Sequence, residues 1–265
     1  MIINYFDHKN YNVLITGATG HLGRSMAIGF ASSGATVYVN GRNNNKVDDL
    51  VKFLRKKNFK AESATFDIND YRSVKKFFIK NKKFHTIVNN GFETKCNDYS
   101  FFSKKRFNEA FNLSVTSSAF LYKCAKLPLL KGVKENKTAS IINILTMYAS
   151  VSPDPSIYKK NDNSDLYHNP PHYGAAKAGL MHFAKIASVN LGKYNIRVNS
   201  ISPGPFPNLD KNKDKKFINR LKNKVPMGRV GKPDEIITTA LYLSSKHSSF
   251  ITGANIPVDG GWTAW

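Results

Sequence analysis

The sequence predicts one α/β domain built on a doubly wound parallel sheet, and three observations carry that expectation. Short apolar runs alternate with helical apolar spacing along all 265 residues. A glycine-rich turn, Thr16-Gly17-Ala18-Thr19-Gly20-His21-Leu22-Gly23, directly follows the first apolar run. No internal repeat occurs, and no linker sets off a second domain, so residues 1–265 are expected to form a single unit.

In chain order, Val13–Ile15 reads as a short buried strand, a helix starts near Arg24, and Thr36–Val39 is the second strand. Val47–Lys57 is a helix, Lys60–Phe66 a strand, Tyr71–Lys80 a helix and His85–Asn89 a strand. One long helix is expected around Phe107–Lys126, then a strand at Ser140–Leu145, a helix at His172–Leu191 and a strand at Arg197–Ile201. Helices at Lys215–Lys224 and Pro233–Leu243 precede a last strand, Asn255–Val258.

Strand, glycine-rich turn, helix, strand is the context a dinucleotide-binding loop requires. Gly17 is expected to permit a tight turn, Gly20 to let backbone approach a pyrophosphate, and Gly23 to let the helix pack closely on the sheet. The helix N-terminus then offers N–H groups to phosphates.

Tyr173 and Lys177, in Pro-His-Tyr-Gly-Ala-Ala-Lys-Ala-Gly-Leu, lie four apart and project from one helix face. A free phenol titrates near ~10. A neighbouring ammonium would bring it toward neutrality and make it a usable acid or base.

Further motifs occur in order. They are Asp67-Ile68, Val88-Asn89-Asn90-Gly91, Phe111-Asn112-Leu-Ser-Val, Ile141-Ile-Asn-Ile-Leu-Thr146, Asn195-Ile-Arg-Val-Asn-Ser-Ile-Ser-Pro203-Gly204, Gly228-Arg-Val-Gly-Lys-Pro and Ile251-Thr-Gly-Ala…Val258-Asp-Gly-Gly. Together they make the chain resemble a short-chain dehydrogenase/reductase of the single-domain type, from about Val13 to the C-terminus. That family has a Rossmann-type sheet. Two departures stand out: the glycine spacing resembles the family's extended branch, and Thr146 occupies the position of a catalytic Ser.

The resemblance implies that Tyr173 is the general acid/base, and that Lys177 lowers its pKa and binds the nicotinamide ribose. Thr146 would hold the reacting oxygen, and Asn112 would position a relay water. It also implies cofactor contacts at Thr16, Gly17, Thr19, Gly20, His21, Leu22, Gly23, Asp67, Ile68, Asn89, Asn90, Gly91, Tyr173, Lys177, Pro203 and Gly204. The nicotinamide would perform the hydride transfer.

The second strand ends in Val39-Asn40-Gly41-Arg42-Asn43, with no carboxylate to bind a ribose 2′-hydroxyl. Arg42 is placed to pair with a 2′-phosphate, so NADP is expected, with NAD as the alternative.

Composition agrees with an enzyme of this kind. Hydrophobic residues make up 41% of the chain, enough for a full core, and no apolar run approaches a membrane span. The first residues lack a signal-peptide pattern, and Cys96 and Cys124, the only cysteines, lack metal-ligand spacing; a cytoplasmic protein with reduced thiols is expected. His168 and His172 flank Pro170-Pro171 without forming a recognisable metal site, and no metal is expected.

The net charge is +22. The basic residues, mostly Lys, are dispersed over predicted helices and loops, and no nucleic-acid motif accompanies them. A solvated surface is the ordinary reading, and no specific nucleic-acid or membrane partner is expected.

Two irregular segments are expected to set substrate choice: a loop at 150–171 beside the active site and a Lys-rich lid at 204–226. Their motifs resemble oxidoreductases of surface-glycan sugar biosynthesis and sugar-acid dehydrogenases, so a carbohydrate alcohol or ketone is the expected small-molecule substrate. A 3-oxoacyl-[acyl-carrier-protein] reductase is the enzymatic alternative, and a non-catalytic NAD(P)-binding sensor the alternative of another class. The family resemblance also implies a homodimer or homotetramer. Phe107, Phe111, Phe120, Met181, Phe183 and the two Trp of the C-terminal run supply apolar material for such contacts.

Overall fold

The computed structural model describes residues 5–91, 103–158 and 170–265. Cys96, His168 and most of the second half of the 150–171 loop lie outside the described residues. Seven parallel strands form one sheet in the order β3-β2-β1-β4-β5-β6-β7.

The chain starts in the middle of the sheet. β1 (Asn12–Ile15), α1 (His21–Ser32), β2 (Thr36–Gly41), α2 (Asn44–Lys56) and β3 (Ala61–Thr65) wind to one edge. After α3 (Tyr71–Lys80) it crosses back to β4 (Thr86–Asn89) on the other side of β1, pairing Ile15 with Val88. That reversal leaves a crevice beyond the carboxyl ends of β1 and β4, where ligands bind in open α/β sheets.

The alternation within each strand builds a core on both faces. Val13 and Ile15 pack with Met26, Phe30, Leu50 and Leu54 on one side. Leu14 faces the other, with Phe78, Phe84, Leu121, Leu129 and Ile141. All of these side chains are buried. Such two-sided burial explains why all six residues of β5 (Ala139–Ile144) are buried, four of them apolar.

The long helix expected at 107–126 differs from expectation. It starts earlier and ends later, as α4 (Lys104–Phe111) and α5 (Ser117–Asn136), and a π turn at Asn112–Thr116 interrupts it. The cause is local. Ser117 Oγ donates to the Leu113 carbonyl at 2.5 Å, and Ser118 Oγ donates to that of Ser114. Hydroxyls that bond back into the preceding turn distort a helix, and π turns of this kind gather at functional sites.

Beyond β5 come α6 (Pro171–Gly192), β6 (Ile196–Pro203) and α7 (Lys215–Lys224). The helix expected at 233–243 is a 3-10 turn at Pro233–Ile236 continued by α8 (Ile237–Ser244), and β7 (Asn255–Val258) closes the sheet. No helix among the described residues is long and apolar enough to cross a membrane. Of the two Trp, Trp262 is buried within the chain and Trp265 is exposed.

Candidate active site

The turn after β1 is built to be tight. Gly17 adopts φ +61°, the left-handed region that favours glycine. A Cβ on Gly23 would lie 2.2 Å from the Gly17 carbonyl oxygen, so this glycine packs against the turn itself rather than against the sheet. Gly20 opens α1 and is exposed, and no side chain caps the helix. By contrast α2, α3, α4 and α7 are capped by the side chains of Asn43, Asp70, Ser103 and Asp214. An uncapped first turn behind an open glycine fits a diphosphate, whose oxygens would accept the N–H groups a cap otherwise satisfies.

Several expected cofactor residues turn out to brace this turn. The Thr16 hydroxyl accepts the backbone N–H groups of Asn90 and Gly91, each at 2.9 Å. Asn90 Nδ2 donates to the Thr16 and Gly17 carbonyls at 3.0 and 3.1 Å, tying the end of β4 to the turn. The partly buried Leu22 side chain packs against the core. Thr19 lies against Gly41, and Ile68 is buried against Gly91. Asp67 accepts the N–H of Asn69 at 2.9 Å. Arg42 is exposed just past β2. Gly204, after Pro203, donates its N–H to the Val258 carbonyl at 3.0 Å.

Two further expected residues sit in distinct surroundings. Asn89 points into the protein: its Nδ2 donates to Ser118 Oγ at 2.8 Å and Asn143 Oδ1 at 2.9 Å, a buried network that also holds the Tyr122 hydroxyl. It positions β4 and has no amide N–H left for a ligand. Asn112 is exposed at the start of the π turn, which packs against α6, the helix that carries the buried Lys177. The buried polar group of that turn is the Ser114 hydroxyl, which has no hydrogen-bond partner. Sequence reasoning missed it because a π turn shifts which residues of a helix face inward.

His21 faces the lid rather than the crevice floor. It hydrogen-bonds the backbone of Pro207, and burial holds its imidazole below the ordinary range despite the nearby Asp210 carboxylate.

The proton-transfer group is assembled where α6 meets the end of β5. A Cβ on Gly174 would lie 2.9 Å from the Tyr148 carbonyl oxygen, so the first turn of α6 approaches the Thr146–Tyr148 turn closely. This brings the Tyr173 and Thr146 side chains into a hydrogen bond. The Thr146 hydroxyl is buried and also accepts the N–H of Tyr148 at 3.3 Å. One turn along α6, Lys177 is buried and its Nζ donates to the Ile144 carbonyl at 2.7 Å.

The electrostatics differ from expectation in one respect. Burial, partly offset by the Thr146 hydrogen bond, holds the Tyr173 phenol above its ordinary pKa rather than below it. The neighbouring Tyr158 phenol raises it further, and Lys177 is itself brought down to about 7 by its own burial. A lysine that is half neutral at pH ~7 stabilises a phenolate less than a permanent ammonium would.

Around Tyr173 lies an apolar and aromatic wall of Met147, Tyr148, Ile157, Tyr158, Phe217 and Trp262. Tyr148 and Tyr158 were not among the expected site residues. A tyrosine two positions after Thr146 was the only sequence signal for them.

A family model described as Enoyl-(Acyl carrier protein) reductase, of the short-chain alcohol dehydrogenase type, matches residues 17–263. The chain belongs to the short-chain dehydrogenase/reductase family. It is 32% identical to a 3-oxoacyl-[acyl-carrier-protein] reductase of Chlamydia trachomatis, over 95% of this chain and 97% of that one. It is 26% identical to the 2-dehydro-3-deoxy-D-gluconate 5-dehydrogenase of Dickeya dadantii, over the full length of both. In structure it is similar to a gluconate 5-dehydrogenase from Burkholderia cenocepacia in complex with NADP and tartrate. There the TM-score is 0.83 at 23% identity, covering 98% of each chain. The protein is thus an oxidoreductase with a nicotinamide dinucleotide cofactor, and the turn of residues 16–23 fits that group.

Proposed function

We propose that the chain interconverts a carbohydrate alcohol and its ketone (a sugar, sugar acid or nucleotide sugar) using NADP, with Tyr173 as the general acid/base. The observation that carries the reading is the Tyr173–Thr146 hydrogen bond beside buried Lys177, set next to a wall rich in phenol hydroxyls. When bound, the nicotinamide supplies or accepts the hydride. Reduction then needs a proton at the carbonyl oxygen. Tyr173 Oη donates it while the Thr146 hydroxyl holds the same oxygen. Lys177 in its ammonium form stabilises the phenolate that remains. Oxidation runs the proton back to Tyr173 Oη.

Arg42, with no carboxylate at the end of β2, favours the 2′-phosphate of NADP. Asp67, Ile68, Gly91, Pro203 and Gly204 border the crevice in this reading. A homodimer or homotetramer in the cytoplasm completes it, with the exposed Phe111 and Phe120 facing a neighbouring subunit.

Reduction of a 3-oxoacyl thioester is the second reading, favoured by the Chlamydia relative and by the basic surface that would dock an acidic carrier. One panel separates the two: initial rates with free sugars, sugar acids, nucleotide sugars and 3-oxoacyl thioesters, using both NADP and NAD. Turnover of carbohydrates with NADP preferred supports the proposal. Turnover confined to thioesters overturns it.

A further inference from the structure

The amino end of the sheet, opposite the crevice, carries two buried histidines around one tyrosine. His8 and His85 are 0% and 1% exposed, and Tyr11 is 5% exposed. The Tyr11 ring centroid lies 4.9 Å from that of His8 and 5.0 Å from that of His85. Phe30 of α1 stands edge-on to His8 at 5.4 Å.

Hydrogen bonds fix both imidazoles as neutral. His8 Nδ1 lies 2.9 Å from the Phe6 carbonyl oxygen and must donate to it. Its Nε2 is buried and has no hydrogen-bond partner among the described residues. A second proton on His8 would sit there uncompensated. His85 is held the other way round. Its Nδ1 accepts the Asn12 N–H at 2.9 Å, so its proton is on Nε2, which donates to Glu135 at 3.0 Å. A second proton on His85 would turn that acceptor into a donor and break the bond to the first residue of β1.

The charged neighbours do not reverse this. Asp7 favours the imidazolium of His8 and Glu135 that of His85, whereas Lys83 opposes the latter. Arg197 lies beside Tyr11. Burial outweighs both carboxylates and holds the two histidines below their ordinary range.

The same rings anchor the segment 5–11. His8 donates its N–H to the Ser33 carbonyl at 2.9 Å, and the Tyr11 carbonyl accepts the Thr36 N–H at 2.8 Å. Ser245 Oγ donates to the Tyr5 carbonyl at 2.8 Å.

We infer that His8, Tyr11 and His85 form an acid-released clasp, in which protonation of the two imidazoles frees residues 5–11 and the start of β1 while the sheet stays folded. Released histidines take up protons at their ordinary value, about 6.5, before clasped ones do. The clasp is therefore intact above that pH and loosens as pH falls below it. Each histidine shifts the opening equilibrium by up to about tenfold per pH unit.

Native-state hydrogen exchange on the full chain, corrected for intrinsic rates, tests this. Between about pH 6 and pH 5, protection at the Tyr11 and Asn12 amides should fall by more than about tenfold, beyond what one histidine supplies. Protection within β5 should stay constant. His85→Gln keeps an acceptor for Asn12 and a donor for Glu135 but takes no proton, and His8→Phe keeps the ring. Each should limit the fall to about tenfold or less and bind NADPH at about pH 7.5 with wild-type Kd. One folded variant suffices, so loss of the other to misfolding leaves the test intact. A smaller fall in the wild type, an equal fall in β5, or variants that follow the wild type would overturn the clasp.

Discussion

The two walls of the crevice are built by different means. On the cofactor side, the turn of residues 16–23 is fixed by backbone geometry and by part-buried hydrogen bonds that Asn90 and Gly91 donate to Thr16 and Gly17. On the substrate side, the segments at 146–158 and 204–226 are joined by aromatic packing, one side-chain-to-carbonyl bond and a largely exposed ion pair. Buried, close-packed hydrogen bonds tolerate little change, whereas exposed pairs contribute little and can be exchanged. The cofactor side should therefore tolerate substitution less well than the other.

Breaking the cofactor side should have the largest effect. Gly23→Val puts side-chain atoms where a Cβ already lies 2.2 Å from the Gly17 oxygen. The turn must open, and NADPH affinity measured by calorimetry should fall by about a hundredfold or more. An unchanged affinity would mean the turn is not the diphosphate site.

Lys177 sharpens the contrast through pH. Its folded-state pKa, about 7, is depressed below the unfolded lysine value of 10.5. Between those two values the unfolded chain binds the extra proton, so this group makes stability rise with pH across that window, by at most about 1.4 kcal/mol per pH unit. Below about 7 both states are protonated and the dependence vanishes. Denaturant unfolding of the cofactor-free protein at pH 7 and 9 should show a steeper rise for the wild type than for Lys177→Met. Parallel curves would show that Lys177 stays charged in the fold.

Loosening the substrate side should have the smallest effect. Asp154→Asn removes an ion pair whose partners are 33% and 51% exposed. Stability should change by less than about 1 kcal/mol, and substrate KM should rise about twofold with NADPH Kd unchanged. A large drop in thermal stability would show that the loop and the lid helix carry the fold as well as the specificity.

The same contrast decides what the sequence made legible. Strands and helices of the cofactor side follow from apolar periodicity and glycine spacing, because local backbone geometry determines both. Tyr173, Lys177 and Thr146 were legible because a four-residue helical spacing and a strand end are local features too. The surroundings of Asn89 and Asn112 are ones that only three dimensions reveal. The first is recruited into a buried network with Ser118 and Asn143, residues distant in sequence. The second opens a π turn that hydroxyl back-bonds from Ser117 and Ser118 accompany. The Tyr148–Tyr158 pair depends on a loop folding back onto the strand end, which no periodicity encodes.

The central claim is that Tyr173 performs the proton transfer while the opposite wall holds the cofactor, so one substitution should separate the two. NADPH Kd and turnover should be measured on a single preparation of Tyr173→Phe, which keeps the ring and removes the hydroxyl. The account predicts an unchanged Kd and a turnover lowered by about a thousandfold, within the range general acid–base groups contribute. Turnover at the wild-type level would contradict it and return the proton to another group.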